Sequence, residues 1–135
     1  MPPDLPTLPA WFFFADDDIL SARALMKEGI WNQVCFHSQQ AVEKAIKGCL
    51  KTAGHRIPKQ HSLIELHELL REQIAACPDF YDAVLFLDRF YIVTRYPDAL
   101  VGSLPEGLPA RHDAIKALEY AEGLVSLLKR LAEKS

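Results

Sequence analysis

From Trp31 to Ala53 the chain runs without a proline, and its apolar residues recur at steps of three and four. That spacing puts side chains on one face of a helix. About 23 residues at 1.5 Å each make a helix of roughly 35 Å, long enough to set the length of a small domain. Ala41, Val42, Ala45, Ile46, Cys49 and Leu50 belong to its apolar side. Gln40, Glu43, Lys44 and Lys47 share a second stripe. An apolar face alone describes a core helix. The added Gln/Glu/Lys stripe makes this helix a candidate wall of a binding site, and Gly54 is its stop signal.

The flanking segments carry the same period. Phe12, Ala15, Ile19, Ala22 and Met26 predict a helix from about Ala10 to Lys27, capped by Gly29 and preceded by a proline-rich leader over 1–9. Trp11, Phe12, Phe13 and Phe14 point to every side of that helix. Part of the cluster therefore needs a second surface, from the leader, the last helix or another subunit. Ser62 followed by Glu65 is a capping box that opens a helix carrying Leu63, Leu66, Leu70 and Ile74, ending near Ala76. A fourth helix is expected from Pro78 or Asp79 to Thr94. It is apolar nearly all round, which predicts burial on both flanks and, in a domain this small, a subunit interface. Pro97 closes it, since the residue before a proline avoids helical geometry. The last helix is expected from Arg111 to Lys134, with Ala114, Leu118, Ala121, Val125, Leu128 and Ala132 as its stripe. No segment alternates with period two. The sequence predicts an all-α, antiparallel up-and-down helical bundle of four to five helices. It forms a single domain over 1–135, with the bundle at about 10–134.

At 135 residues such a bundle buries enough surface to fold without staples. The net charge of −3 argues against wholesale coating of nucleic acid or membrane, and leaves room for a local basic patch. Cys35, Cys49 and Cys77 are odd in number and lack C-x-x-C spacing, which predicts buried free thiols in a reducing compartment. No run approaches the ~18 apolar residues of a membrane span, and no positively charged signal segment opens the chain. A soluble, cytoplasmic protein with no membrane association is expected.

Few side chains carry chemistry. Asp16, Asp17 and Asp18 fan out about 100° apart on a helix and cannot all face one ion. They are expected to form an exposed acidic turn near the positive end of the helix dipole. The five histidines, His37, His55, His61, His67 and His112, show no i, i+4 pair of the zinc type, so no metal and no cofactor is expected. His37 is expected to hydrogen-bond across the bundle. There is no nucleophile elbow and no phosphate-cradling glycine loop. Arg95 ends an apolar helix and is followed by a fixed Tyr96-Pro97-Asp98 turn. It either pairs with Asp98 or Glu43 to tie the turn down, or joins Lys44 or Lys47 in an anion site.

The run Gln39-Gln40-Ala41-Val42-Glu43-Lys44-Ala45-Ile46-Lys47, then His61-Ser62-Leu63, then Arg95-Tyr96-Pro97-Asp98, resembles the HEPN domain family. Trp11, Ala15, Ile19, Ala22 and Leu25 fit its first helix, and the likeness spans about residues 11 to 130. The resemblance implies an all-α bundle that pairs as a homodimer. It also implies association with a minimal nucleotidyltransferase protein in a toxin–antitoxin-type pair, and binding of a nucleotide or RNA. The ligand-binding candidates are then Gln40, Glu43, Lys44, Lys47, Arg95 and Tyr96. Many family members are metal-independent ribonucleases whose signature is an Arg followed by four to six other residues and then a His. Here Tyr96, Pro97 and Asp98 follow Arg95, and the next histidine is His112. A formal match from Arg56 to His61 lies in a loop. A ribonuclease reading would draw its catalytic residues from Arg95, Asp98 and His61 or His112, since it needs a proton-moving group and a cation for the transition state.

Overall fold

The structure is a computed structural model, described for residues 7–56, 62–73, 79–90 and 108–133. These residues form five helices: α1 (Leu8–Glu28), α2 (Trp31–Thr52), α3 (Leu63–Gln73), α4 (Tyr81–Asp88) and α5 (Arg111–Glu133). No strand occurs among them.

Helix α1 starts at Leu8, two residues before the expected start. Thr7 is its N-cap, with Oγ1 accepting from the Ala10 N–H at 3.3 Å. Pro9 fits the first turn, where its missing N–H costs nothing. Gly29 ends the helix at φ 72°, and Ile30 N–H reaches back to the Leu25 carbonyl at 3.1 Å. The left-handed cap is one that glycine adopts without strain. Gly54 plays the same part after α2, at φ 89°. At the start of α3 the Glu65 N–H donates to Ser62 Oγ at 3.1 Å, and the hydroxyl lies 3.4 Å from Glu65 Oε1. The Ser62 half of the capping box read from the sequence is present, with Glu65 meeting the Ser62 hydroxyl. The description of α3 stops at Gln73 and that of α4 near Phe90, so the expected ends at Ala76 and Thr94 lie outside the described residues.

Helix α2 is the centre of the bundle. It packs most extensively on α1, next on α5, and also against α3 and α4. One core joins all five helices, with Val34, Val42, Ile46 and Leu50 of α2 among Ala15 and Ile19, Leu66 and Leu70, Val84 and Leu87, and Val125 and Leu128. Small residues let the α1 and α2 backbones approach. A Cβ placed on Gly48 would stand 2.5 Å from the Cβ of Trp11 and 2.9 Å from its Cγ. Gly48 is therefore a contact glycine rather than a hinge. It also accounts for Trp11, which lies against α2 with the Lys51 ammonium 5.0 Å from its ring centroid. Phe12 packs on the core, while Phe13 stays 41 % exposed.

The expectation for α4 is met on one side. Ala83, Val84, Leu87 and Phe90 are buried, whereas Tyr81 and Leu85 remain exposed in this single chain. Cys35 is a buried free thiol, Cys49 is buried, and Cys77 lies outside the described residues. Among the described residues no helix is long and apolar enough to cross a membrane.

Candidate functional site

The polar residues of α2 occupy a continuous arc that runs from the α1 side to the α3–α4 side. Its members pair in two directions. Toward α1, Lys44 Nζ donates to Asp18 Oδ2 at 2.6 Å, and His37 Nδ1 lies 2.9 Å from Asp18 Oδ1. Asp18 is 7 % exposed. The expected cross-bundle bond of His37 is thus present. The expected acidic turn is corrected. Asp16 is bonded to Lys129 at 2.8 Å, Asp17 is exposed, and Asp18 is buried between two cationic or donor groups. The three carboxylates do fan out, but α1 begins at Leu8, so they sit two turns into the helix and not at its positive end.

On the other side of the arc, Glu43 accepts from Gln39 Nε2 at 3.2 Å through one oxygen and from Lys47 Nζ at 3.0 Å through the other. Gln40 Nε2 donates to Gln39 Oε1 at 2.8 Å. The bonds form a relay from Gln40 through Gln39 to Glu43 and Lys47. Burial makes the relay necessary: Gln39 is 1 % and Glu43 8 % exposed, and a buried polar group without partners costs about 1–3 kcal/mol. Lys44 and Lys47 keep part of their side chains in water, so they can still offer N–H groups to a ligand. Their charges, however, are each matched by a carboxylate.

Beyond Glu43 lies the junction of α3 and α4. Asp88 Oδ1 accepts from the Leu63 N–H at 2.8 Å, which holds the start of α3 to the end of α4. Burial raises the Asp88 pKa above the usual carboxylate value. The Leu63 hydrogen bond opposes that rise, and the carboxylates of Glu65 and Glu43 add to it. His67, 1 % exposed, stacks on Phe80 with centroids 4.3 Å apart, and its Nε2 accepts from the Phe80 N–H at 3.4 Å. Burial lowers its pKa, so the ring is neutral and its proton sits on Nδ1. That atom is buried and has no hydrogen-bond partner among the described residues.

The structure therefore brings together Gln40, Glu43, Lys44 and Lys47, as the sequence predicts. Arg95, Tyr96, Asp98 and His61 lie outside the described residues. Glu43, considered from sequence as a partner for Arg95, already holds Gln39 and Lys47. His112 is exposed, with Nε2 3.4 Å from Asp113 Oδ1. Sequence reasoning missed Gln39, Asp18 and Asp88. Two of them carry a readable signal: Asp18 stands three residues after Ala15 and four before Ala22, and Asp88 four after Val84, each on a buried stripe. Among the described residues no group of three or more His, Cys, Asp or Glu side chains converges as a metal ligand set.

The family model of the HEPN domain matches residues 8–131. The crystal structure of TT1696 from Thermus thermophilus superposes with a TM-score of 0.76 at 30 % identity, covering 92 % of this chain and 97 % of that one. A HEPN domain protein from Thermotoga maritima, tm0613, superposes with a TM-score of 0.72 at 26 % identity, covering 93 % of this chain and 98 % of that one. A curated relative in Methanocaldococcus jannaschii, named "Putative toxin MJ1304", is 25 % identical over 127 residues, which are 85 % of this chain and 81 % of the relative.

Proposed function

The chain belongs to the HEPN domain family, and from that premise we propose that it is a nucleotide- or RNA-binding protein of a toxin–antitoxin-type pair. Its protein partner in this reading is a minimal nucleotidyltransferase, and it works as a cytoplasmic homodimer. The observation that carries the reading is the family match over residues 8–131, joined to the toxin name of the archaeal relative. The α2 arc supports it. Lys44 and Lys47 are held by the buried carboxylates of Asp18 and Glu43, and Gln40 by the amide oxygen of Gln39, so their remaining N–H groups are ordered before any ligand arrives. Arg95 and Tyr96 complete the proposed ligand set. The exposed Tyr81 and Leu85 of α4 supply an apolar surface for the dimer.

Titration of the purified protein with ATP and with a short RNA tests the ligand half. Saturable binding that weakens in Arg95→Ala and Lys47→Ala is expected. Absence of binding, or variants indistinguishable from wild type, would remove it. The same tubes decide the ribonuclease alternative. RNA shortened in the presence of EDTA by wild type but not by Arg95→Ala would make the chain an enzyme.

A further inference from the structure

A second group of cations lies away from the α2 arc, where α4 meets the first turns of α5. The Arg89 guanidinium sits over two rings, 4.8 Å from the Phe86 centroid and 5.2 Å from that of Phe90. The Lys116 ammonium lies 4.9 Å from the same Phe86 centroid and 5.7 Å from that of Tyr120. Phe86 and Tyr120 are themselves in contact, with centroids 5.7 Å apart. Two positive charges are thus gathered around one aromatic ring.

Like charges gain nothing from each other, so something must hold them there. The negative faces of the rings attract each cation. Nearby carboxylates do little more. Asp113 is the nearest acid to Arg89, at 4.0 Å, which is the outer limit of an ion pair. That carboxylate is already engaged, accepting the Ala110 N–H at 2.9 Å through Oδ2 and lying 3.4 Å from His112 through Oδ1. Lys116 forms no salt bridge among the described residues, although Glu119 lies a turn away on α5. Arg89 and Lys116 are both exposed and come from different helices, so their spacing is set by the packing of α4 on α5. The contrast with α2 is direct. There, Lys44 and Lys47 each have a carboxylate at 3.0 Å or less.

We propose that Arg89 and Lys116, held around the Phe86 ring, form an anion-binding position for a phosphate group, the terminal phosphates of a nucleotide being the ligand. Arg89 offers a planar fork of donors that matches two phosphate oxygens, and Lys116 adds a point charge. The identity of the ligand rests on the nucleotide-binding reading above, whereas the position rests on the geometry alone.

Calorimetric titration with inorganic pyrophosphate probes the position, and titration with ATP and a short RNA probes the reading. Wild type is expected to bind pyrophosphate and ATP. Arg89→Gln and Lys116→Gln are each expected to weaken both by about tenfold, and the double variant to abolish pyrophosphate binding and to weaken ATP further, since each change removes a charge-assisted hydrogen bond. Lys116→Arg is expected to retain binding. Lys129→Ala, which removes a cation paired with Asp16, is expected to leave it unchanged. Both Gln variants change exposed side chains, and a thermal melt checks their folding. If wild type and the double variant bind ATP equally, the position is wrong and the nucleotide reading stands. If pyrophosphate binds and the double variant loses it while ATP and RNA do not bind, the position stands and the reading falls. Wild type that binds none of the three overturns both. RNA bound through Arg89 and Lys116 with no affinity for ATP would overturn the assignment of the ligand to a nucleotide.

Discussion

Lys44 Nζ lies 2.6 Å from Asp18 Oδ2, across the interface of the two helices that pack most extensively on each other. The pair fastens the polar arc of α2 to α1 at a point where Asp18 has almost no contact with solvent. Removing the ammonium should therefore cost more than removing the carboxylate charge, because an unpaired Lys44 reaches water whereas an unpaired Asp18 is left as a buried charge. Urea unfolding is expected to show Lys44→Met destabilised by about 2 kcal/mol and Asp18→Asn by about half as much. A reversed order would mean that the pair does not govern this interface.

Gly48 and Gly123 sit inside helices and invite opposite outcomes. Alanine favours a helix interior by ~1 kcal/mol over glycine. At Gly123 nothing lies within 4 Å of the added methyl, so Gly123→Ala is expected to stabilise by ~0.5–1 kcal/mol. At Gly48 the methyl would meet Trp11 at 2.5 Å, and the helices must separate. Gly48→Ala is expected to destabilise by about 1–3 kcal/mol despite its propensity gain. Thermal melts of both variants check the pair, and a stabilised Gly48→Ala would contradict the close approach of α1 and α2.

His67 should make folding sensitive to mild acid. Burial holds its folded pKa below the ordinary value of 6.5, so between the two the unfolded chain binds a proton that the folded chain does not. Stability then rises with pH in that window, and is lost as pH falls below about 6.5. Asp88 acts in the opposite sense. Its raised pKa means that the folded state holds a proton longer, so its contribution declines as pH climbs from 3.8 through the folded value. Urea midpoints measured from pH 7.5 to 5 should fall for wild type. They should fall less for His67→Gln, which keeps an acceptor for the Phe80 N–H without a titrating ring.

Cys35 should be inert. Burial, reinforced by the Asp113 carboxylate and opposed by Arg89, pushes its thiol up to about 12. The thiolate is the reactive form, so a maleimide reagent at pH 7 is expected to leave Cys35 unlabelled in the folded protein and to label it in urea. Rapid labelling in the native state would contradict its burial in the core.

Much of the fold was legible because periodicity and caps act locally. Gly29, Gly54 and the Ser62–Glu65 box each end or begin a helix where their own backbone chemistry requires it. The buried stripe of α5 follows the same rule from Ala114 to Leu128. The site was less legible because its pairs are long-range. Nothing near Lys44 in the sequence names Asp18 as its partner, 26 residues away, and Leu63 and Asp88 meet only after α3 and α4 fold together. The i, i+4 pairs Gln39–Glu43 and Glu43–Lys47 lie within one helix, and of these Gln39 was overlooked because a buried glutamine reads as polar surface. The Arg89–Lys116 group depends on the packing of α4 on α5 and has no trace in local spacing.

The central claim is that this HEPN protein acts in a toxin–antitoxin-type pair. Growth of a bacterial host after induced expression, alone and with a minimal nucleotidyltransferase as the proposed partner, measures that most directly. The account predicts arrested growth with the chain alone and recovery when the nucleotidyltransferase is co-expressed. Unimpaired growth in both cultures, with the two proteins failing to co-purify, would contradict it.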